Sequence, residues 1–468
     1  MIEFWDSSVW GWIMIFGVLF ASLLVGNILK RRVPFLKGSL IPTSVLGGAV
    51  LLIIAAIYKW ITGDVMFDTA IFENNGTEKL EIITYHTLAL GFIASTFKST
   101  NKKLTRGRST EIFNTGVTTV ATYLLQGIFG LSIAFIATLF IKDFFVAAGV
   151  LLPFGFGQGT GQALNYGIIY EGTGRFEGGA NFGLTIAALG FLSASLGGVV
   201  HLIVMKRRGK LVYSKRNDGS LHSESIESEN EIPMTESIDK MTMQLAFIFV
   251  AYVISYGIIA GLANLLPSFA SVLYGFNFIV GVLVAIVIKL VLNFLLKKKL
   301  ITRKYTNNFL MTRVSNFCFD LMVVAGVAAI RLDKLDSYWG VIIALAVVGI
   351  IITYVYNRIV AKLLFRDYYE EQFLMMYGML TGTASTGTIL LREIDDDFRT
   401  PASDNMVYQN FPAMVLGFPL MFLAKLAIDN PLLTLIIFIV FFLVLNVVLF
   451  RSFIFKKGAK GKEDSENK

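Results

Sequence analysis

Leu152–Gly167 reads LPFGFGQGTGQALNYG. Within hydrophobic surroundings it sets glycine at 155, 157, 159, 161 and 167, and polar side chains at Gln158, Thr160, Gln162 and Asn165. Hydrocarbon offers backbone groups no hydrogen bonds, so irregular backbone at membrane depth survives only where protein or a water-filled cavity satisfies it. Glycine brings bare N–H and C=O groups close to a guest and opens φ > 0. Close helix packing is the ordinary explanation of small residues at such spacing. However, Tyr377–Thr388, YGMLTGTASTGT, has the same character in the other half of the chain. Two interrupted segments in corresponding places of two halves point to a transporter's binding site, and the pair outweighs packing as the explanation of either alone. Gly159 and Gly382 are expected to hold backbone conformations closed to β-branched residues.

Composition agrees with a membrane setting. Of 468 residues, 55% are hydrophobic and only 16% charged, against about 25% charged in soluble domains; mean hydropathy is +0.67. The net charge of +8 does not point to nucleic acid, because the basic residues gather beside apolar spans as the positive-inside rule describes. The single Cys318 excludes an intrachain disulfide and a multi-cysteine metal site, and a buried, inert thiol is expected of it. The start, MIEFWDSSVW, lacks a basic n-region, so no cleavable signal is expected. No nucleophile–base triad, P-loop or Cys/His metal spacing supports enzyme chemistry.

Charge sidedness then orders the chain. Spans are expected at 10–29, 40–60, 82–97, 113–141 and 181–205. In the second, Pro42 and Gly47–Gly48 point to a helix broken near its start. Glu3 and Asp6 precede the first span and Lys30, Arg31, Arg32 and Lys37 follow it, which places the N-terminus outside. If 144–170 crossed fully, the span ending at Lys206–Arg208 would finish outside, against its basic flank. A re-entrant hairpin removes the conflict. Residues 144–170 are also too few for two spans of about 20 residues each, and enough for two half-helices.

The second half repeats the order, with spans 243–266, 272–296, 308–330, 338–365 and 406–428 and a hairpin at 371–391 entering from the inside. The fold class is therefore an all-α polytopic membrane protein with two inverted-topology repeats. Each repeat has five transmembrane helices plus one re-entrant hairpin, and an extra C-terminal transmembrane helix follows. The expected parts are a first repeat 1–205 with outer hairpin 144–170, a cytoplasmic linker 206–242, a second repeat 243–428 with inner hairpin 371–391, the extra helix 429–455 and a cytoplasmic tail 456–468.

Three stretches resemble one family. FLKGSLIPTSVLGGAV (35–50) is similar to its basic-flanked Ile-Pro followed by a Gly-Gly pair, GFGQGTGQA (155–163) to its first hairpin with a G-x-G-T-G core, and RVSNFCFDLMVVAGVAAIRLDKL (313–335) to the span that follows its second broken helix. The family is that of the sodium/glutamate symporters, secondary carriers of bacterial inner membranes. The resemblance implies Na+-coupled uptake of glutamate, a homodimer, and an elevator-like movement of the hairpin-bearing part. No cofactor is expected beyond Na+ as coupling ion.

Two hairpins entering from opposite faces bring half-helix ends together near mid-membrane. Their N-terminal ends carry partial positive charge and free N–H groups, which suit a carboxylate, while carbonyls at the tips suit Na+. The expected substrate-binding residues are Gly157, Gln158, Gly159, Thr160, Gly161, Gln162 and Asn165 from the first hairpin. From the second they are Thr381, Gly382, Thr383, Ser385, Thr386 and Thr388. Threonines equally bond back to their own helix, and Asn165 and Asn181 equally cap half-helices. Candidate Na+ ligands are Asp320, Asn316 and Asn181. Asn316 and Asp320 share a helix face, and an ionisable group inside a span is a functional hypothesis by default. Gln126 is expected to bond a neighbouring helix. His86 and His201 are expected at interfaces, and Phe140, Phe144, Phe145, Phe441 and Phe442 on the lipid-facing surface.

The expected function is Na+-coupled symport of glutamate or a related amino or dicarboxylic acid. The alternatives are a proton-coupled carrier of another organic anion, using Asp320, and an ion channel.

Overall fold

The computed structural model describes residues 7–37, 39–98, 106–208, 231, 238–395 and 399–454. The described residues form helices and no β-strand. The first half runs α1 (Ser7–Arg32), the short α2 (Pro34–Lys37), α3 (Thr43–Thr62), α4 (Gly76–Phe97), α5 (Arg106–Ala137), α6 (Leu151–Gln158), α7 (Thr160–Glu171) and α8 (Gly179–Arg207). The second runs α9 (Lys240–Leu265), the short α10 (Ala270–Gly275), α11 (Asn277–Lys297), α12 (Asn308–Ala328), α13 (Trp339–Leu364), α14 (Tyr369–Thr381), α15 (Ala384–Arg392), α16 (Ala402–Tyr408), α17 (Asn410–Asp429) and α18 (Pro431–Leu449). Eleven helices among the described residues are long and apolar enough to cross a membrane. Each falls on one expected span, and the two Gly-rich segments are the places where helices are short and paired. Most of the expected linker 206–242 and all of the tail 456–468 lie outside the described residues.

Burial separates inner from outer helices. The apolar windows of α4, α5, α8 and α12 are 50–61% buried, and those of the other spans 33% or less. A helix apolar all round is suited to lipid on one side and protein on the other, and α18, with the highest hydropathy, flanks α5 and α17 from outside. Across the halves the packing is reciprocal: α4 lies on α12 and α5 on α13, while α3 touches α12 and α11 touches α4. Close approach uses small residues, as expected in membranes. A Cβ on Gly130 would lie 2.1 Å from the Gly149 carbonyl oxygen, and one on Gly149 would lie 2.2 Å from that of Gly130, so both must be glycine.

Two expectations change. α3 runs unbroken through Gly47–Gly48; these glycines admit the α1 backbone at Ser22 and the side chain of Val327, so packing explains them. Phe140 is exposed, but Phe144 and Phe145 are buried in an aromatic cluster with Phe176, Tyr170 and Tyr338, because the chain turns inward there to start the first broken segment. His201, near the basic end of α8, is buried in protein and not exposed: its Nε2 meets Glu370 Oε2 at 3.0 Å and its Nδ1 meets the Tyr354 hydroxyl at 2.7 Å.

Candidate functional site

The first break is a single residue. α6 ends at Gln158 and α7 begins at Thr160, with Gly159 between them at φ 79°, ψ −170°. Side chains rarely tolerate that φ. A Cβ there would have room, its nearest neighbour being Thr383 Cγ2 at 3.6 Å, so the backbone angle alone demands glycine. The same distance brings the two breaks into contact. At the second break α14 ends at Thr381, and Gly382 has φ −144°, which corrects the expectation of a β-branched residue excluded by φ > 0. Space rather than φ is tight there, since a Cβ would lie 2.9 Å from Thr386 Oγ1 and 3.1 Å from the Gly378 carbonyl oxygen. Thr383 caps α15 by accepting from the Thr386 N–H at 3.4 Å.

The breaks open onto a cavity of about 160 Å³. Its polar residues are Gln158 and Gln162 of the first broken segment, Thr383 of the second, Ser95 of α4, Thr119 and Tyr123 of α5, and Gln409 and Asn410 at the start of α17. Phe92, Phe278, Phe319 and Met322 supply apolar wall. No charged side chain lines it among the described residues. Its electrostatics therefore come from dipoles: α7 and α15 both start at this wall, and each helix N-terminus carries partial positive charge. Gln162 is 1% exposed, and its Oε1 accepts from Asn165 Nδ2 at 3.3 Å while Nε2 has no partner. A buried amide donor left unpaired costs about 1–3 kcal/mol, which an acceptor in the cavity would recover.

The other expected residues divide by what their side chains meet. The Gly157 carbonyl accepts from the Tyr123 hydroxyl at 3.1 Å, and Gly161 packs on Leu88. Thr160 bonds the Met322 carbonyl at 3.2 Å and Asn165 the Gly275 carbonyl at 3.0 Å, so both tie the first segment to its surroundings. Thr381 and Thr388 bond back to Tyr377 and Ala384, and Thr386 is buried beside Thr383. Ser385 is in α15, and its side chain lies outside the described residues.

The structure does not bring the three expected cation ligands together. Asn181 Oδ1 accepts from the Arg331 N–H at 2.6 Å, just beyond the C-terminal end of α12. Asn316 and Asp320 share the exposed face of α12, outside the cavity wall, with Asp320 beside Ser44 of α3. Among the described residues no three His, Cys, Asp or Glu side chains form a metal-holding group.

Sequence reasoning missed Thr119, Gln409 and Asn410, although adjacent amides within an apolar span are a visible signal. Thr119 Oγ1 bonds Gln409 Oε1 at 2.9 Å. The second broken segment is anchored at the start of α14, where Glu370 takes both Arg358 and His201. Burial pushes the Glu370 carboxyl up, but these hydrogen bonds and the guanidinium charge outweigh it and hold it at about 2.

Comparison with known protein families matches residues 13–384 to the family described as sodium/glutamate symporter. No curated protein matches the chain.

Proposed function

The chain belongs to the sodium/glutamate symporter family, and on that premise we propose that it is a Na+-coupled importer of glutamate or a related small amino or dicarboxylic acid. The unpaired Nε2 of Gln162 in a cavity flanked by the N-termini of α7 and α15 carries this reading. A substrate carboxylate would accept from Gln162 and sit against the free N–H groups of residues 160–161 and 383–384, where helix ends favour anions. Gln158, Thr383, Gln409 and Asn410 would take the ammonium and the second carboxylate. Gly157, Gly159, Gly161, Gly382 and Thr386 would shape the tips. The remaining named hydroxyls and Asn165 would hold the segments in place. The coupling Na+ would use neutral oxygens, whereas Asp320 would have no part in holding it.

The two broken segments would be re-entrant hairpins in two inverted repeats, residues 1–205 and 243–428, joined by a cytoplasmic linker. The reciprocal packing of α4 with α12 and α5 with α13 supports that symmetry. The hairpin-bearing part, α5–α8 with α13–α17, would slide as a body against α1, α3, α4, α9, α11 and α12. The protein would work as a homodimer in a bacterial inner membrane, N-terminus outside and C-terminus inside.

Proteoliposomes test this reading. An inward Na+ gradient should drive labelled glutamate above its external concentration, with competition from chemically similar acids. Uptake driven by a pH gradient and indifferent to Na+ would replace Na+ with H+ as coupling ion. Equilibration without accumulation would make the protein a channel.

A further inference from the structure

Two helices carry the same short pattern. α5 has TYLLQ at 122–126 and α13 has TYVYN at 353–357, in each case Thr-Tyr-x-x-amide. The threonine and the amide lie four residues apart, hence on one helix face, and α5 packs on α13. Thr122, Gln126, Thr353 and Asn357 thereby meet in one cluster and are each at most 1% exposed. Gln126 Nε2 donates to Thr353 Oγ1 at 2.9 Å and to the Leu380 carbonyl at 3.0 Å. Asn357 Nδ2 donates to the Thr353 carbonyl at 2.9 Å and lies 3.4 Å from Thr122 Oγ1.

Both amide nitrogens of this cluster are therefore used, and both amide oxygens are not. Gln126 Oε1 and Asn357 Oδ1 are both buried without a partner. A buried acceptor left unpaired forfeits its hydration with no return. Two such oxygens in one cluster, with two hydroxyl oxygens beside them, make it rich in oxygens that are all neutral. Leu380 adds a carbonyl from the last turn of α14, the end of a helix that carries partial negative charge.

We propose that this cluster binds the coupling Na+, with Gln126 Oε1 and Asn357 Oδ1 as principal ligands and Thr122 and Thr353 beside them. The proposal deepens the symport reading and rests on it. Hard cations take oxygen ligands. A set without a carboxylate leaves a divalent ion's charge uncompensated in a low-dielectric interior, which favours a monovalent ion. Amides and alcohols have no site that protonates near neutral pH, so the cluster reads Na+ and not H+. Coupling follows from position. Leu380 lies three residues before Thr383, so a cation here fixes the end of α14 and with it the wall of the substrate cavity. By linkage, substrate at that wall tightens Na+ equally.

The test uses the full chain, purified in detergent for thermal unfolding without substrate and reconstituted for uptake. NaCl is titrated against KCl and choline chloride at constant ionic strength. Na+ should raise the unfolding temperature of the unmodified protein, and Gln126→Leu and Asn357→Leu should each raise the half-saturating Na+ tenfold or more. Gln126→Glu and Asn357→Asp should retain Na+ binding and make it pH-dependent, because a titrating oxygen replaces a neutral one. Leucine variants that respond to Na+ at unmodified concentrations overturn the proposal, as does an unmodified protein that Na+ does not stabilise. Should the leucine variants not fold, a Na+ response of the acidic variants that is flat in pH overturns it. Loss of Na+ stabilisation in the leucine variants of a protein that transports no glutamate upholds the cation site and rejects the substrate reading.

Discussion

Gly159 separates two kinds of demand on a small residue. The space around it is ordinary, with no neighbour closer than 3.6 Å to where a Cβ would stand, yet φ is +79°. A branched side chain is excluded by its own backbone and not by crowding. Gly159→Val should therefore insert and remain folded in most of its contacts while transport falls to background, read by uptake and by thermal unfolding of the purified protein. Uptake near the unmodified rate would mean that the break does not need its observed geometry. Asp320 makes the converse case. It lies at mid-span in sequence but on the exposed face of α12, beside Ser44 and away from the cavity. Asp320→Asn should keep the Na+ dependence of uptake within about twofold, since Asp320 does not line the cavity and the cluster proposed for Na+ is neutral. A tenfold rise in half-saturating Na+ would return the carboxylate to the coupling site.

At the scale of elements, the second broken segment hangs from one ion cluster. Glu370 at the start of α14 joins Arg358 of α13 and His201 of α8. Its carboxyl is held at about 2 in the folded protein against an ordinary 4.5. A depressed acid stabilises the fold fully above its ordinary value, and that contribution is lost as pH falls through the folded value. Between about pH 4.5 and 2 the unmodified protein should thus lose a stabilisation that Glu370→Gln never has. The two thermal unfolding midpoints should converge as pH falls. Parallel curves over that window would show that the cluster does not anchor α14.

For the whole molecule, sidedness is the sharpest consequence of the proposed inverted repeats. Gly172 follows the first broken segment and Lys299 follows α11, and both are exposed. In a Cys318→Ser background, Gly172→Cys should react with an impermeant thiol reagent added outside, and Lys299→Cys only after permeabilisation. Labelling of both from one side would break the alternation of spans. The substitution of Cys318 should itself cost little only if the new hydroxyl bonds the Val314 carbonyl one turn back, as Ser255 bonds Ala251.

What this sequence determines alone is local and periodic. Long apolar runs require helices in lipid, because only there are backbone groups satisfied within the segment. The runs in this chain placed all eleven membrane-length helices among the described residues, and the glycine-rich stretches located both breaks. Which polar groups meet was not legible, because those partners are distant in sequence. Thr119 finds Gln409 across 290 positions and Gln126 finds Thr353 across 227, and only the crossing of α5 with α13 and α17 sets those pairs. Hydropathy assigned Asp320 to an interior it does not occupy, since a carboxylate in an apolar span reveals its depth and not its direction. The tertiary structure decided direction. It turned Asn181 to a backbone N–H, Asp320 to Ser44 and Gln162 to the cavity, because helix rotation is set by packing against neighbours and no residue encodes it alone.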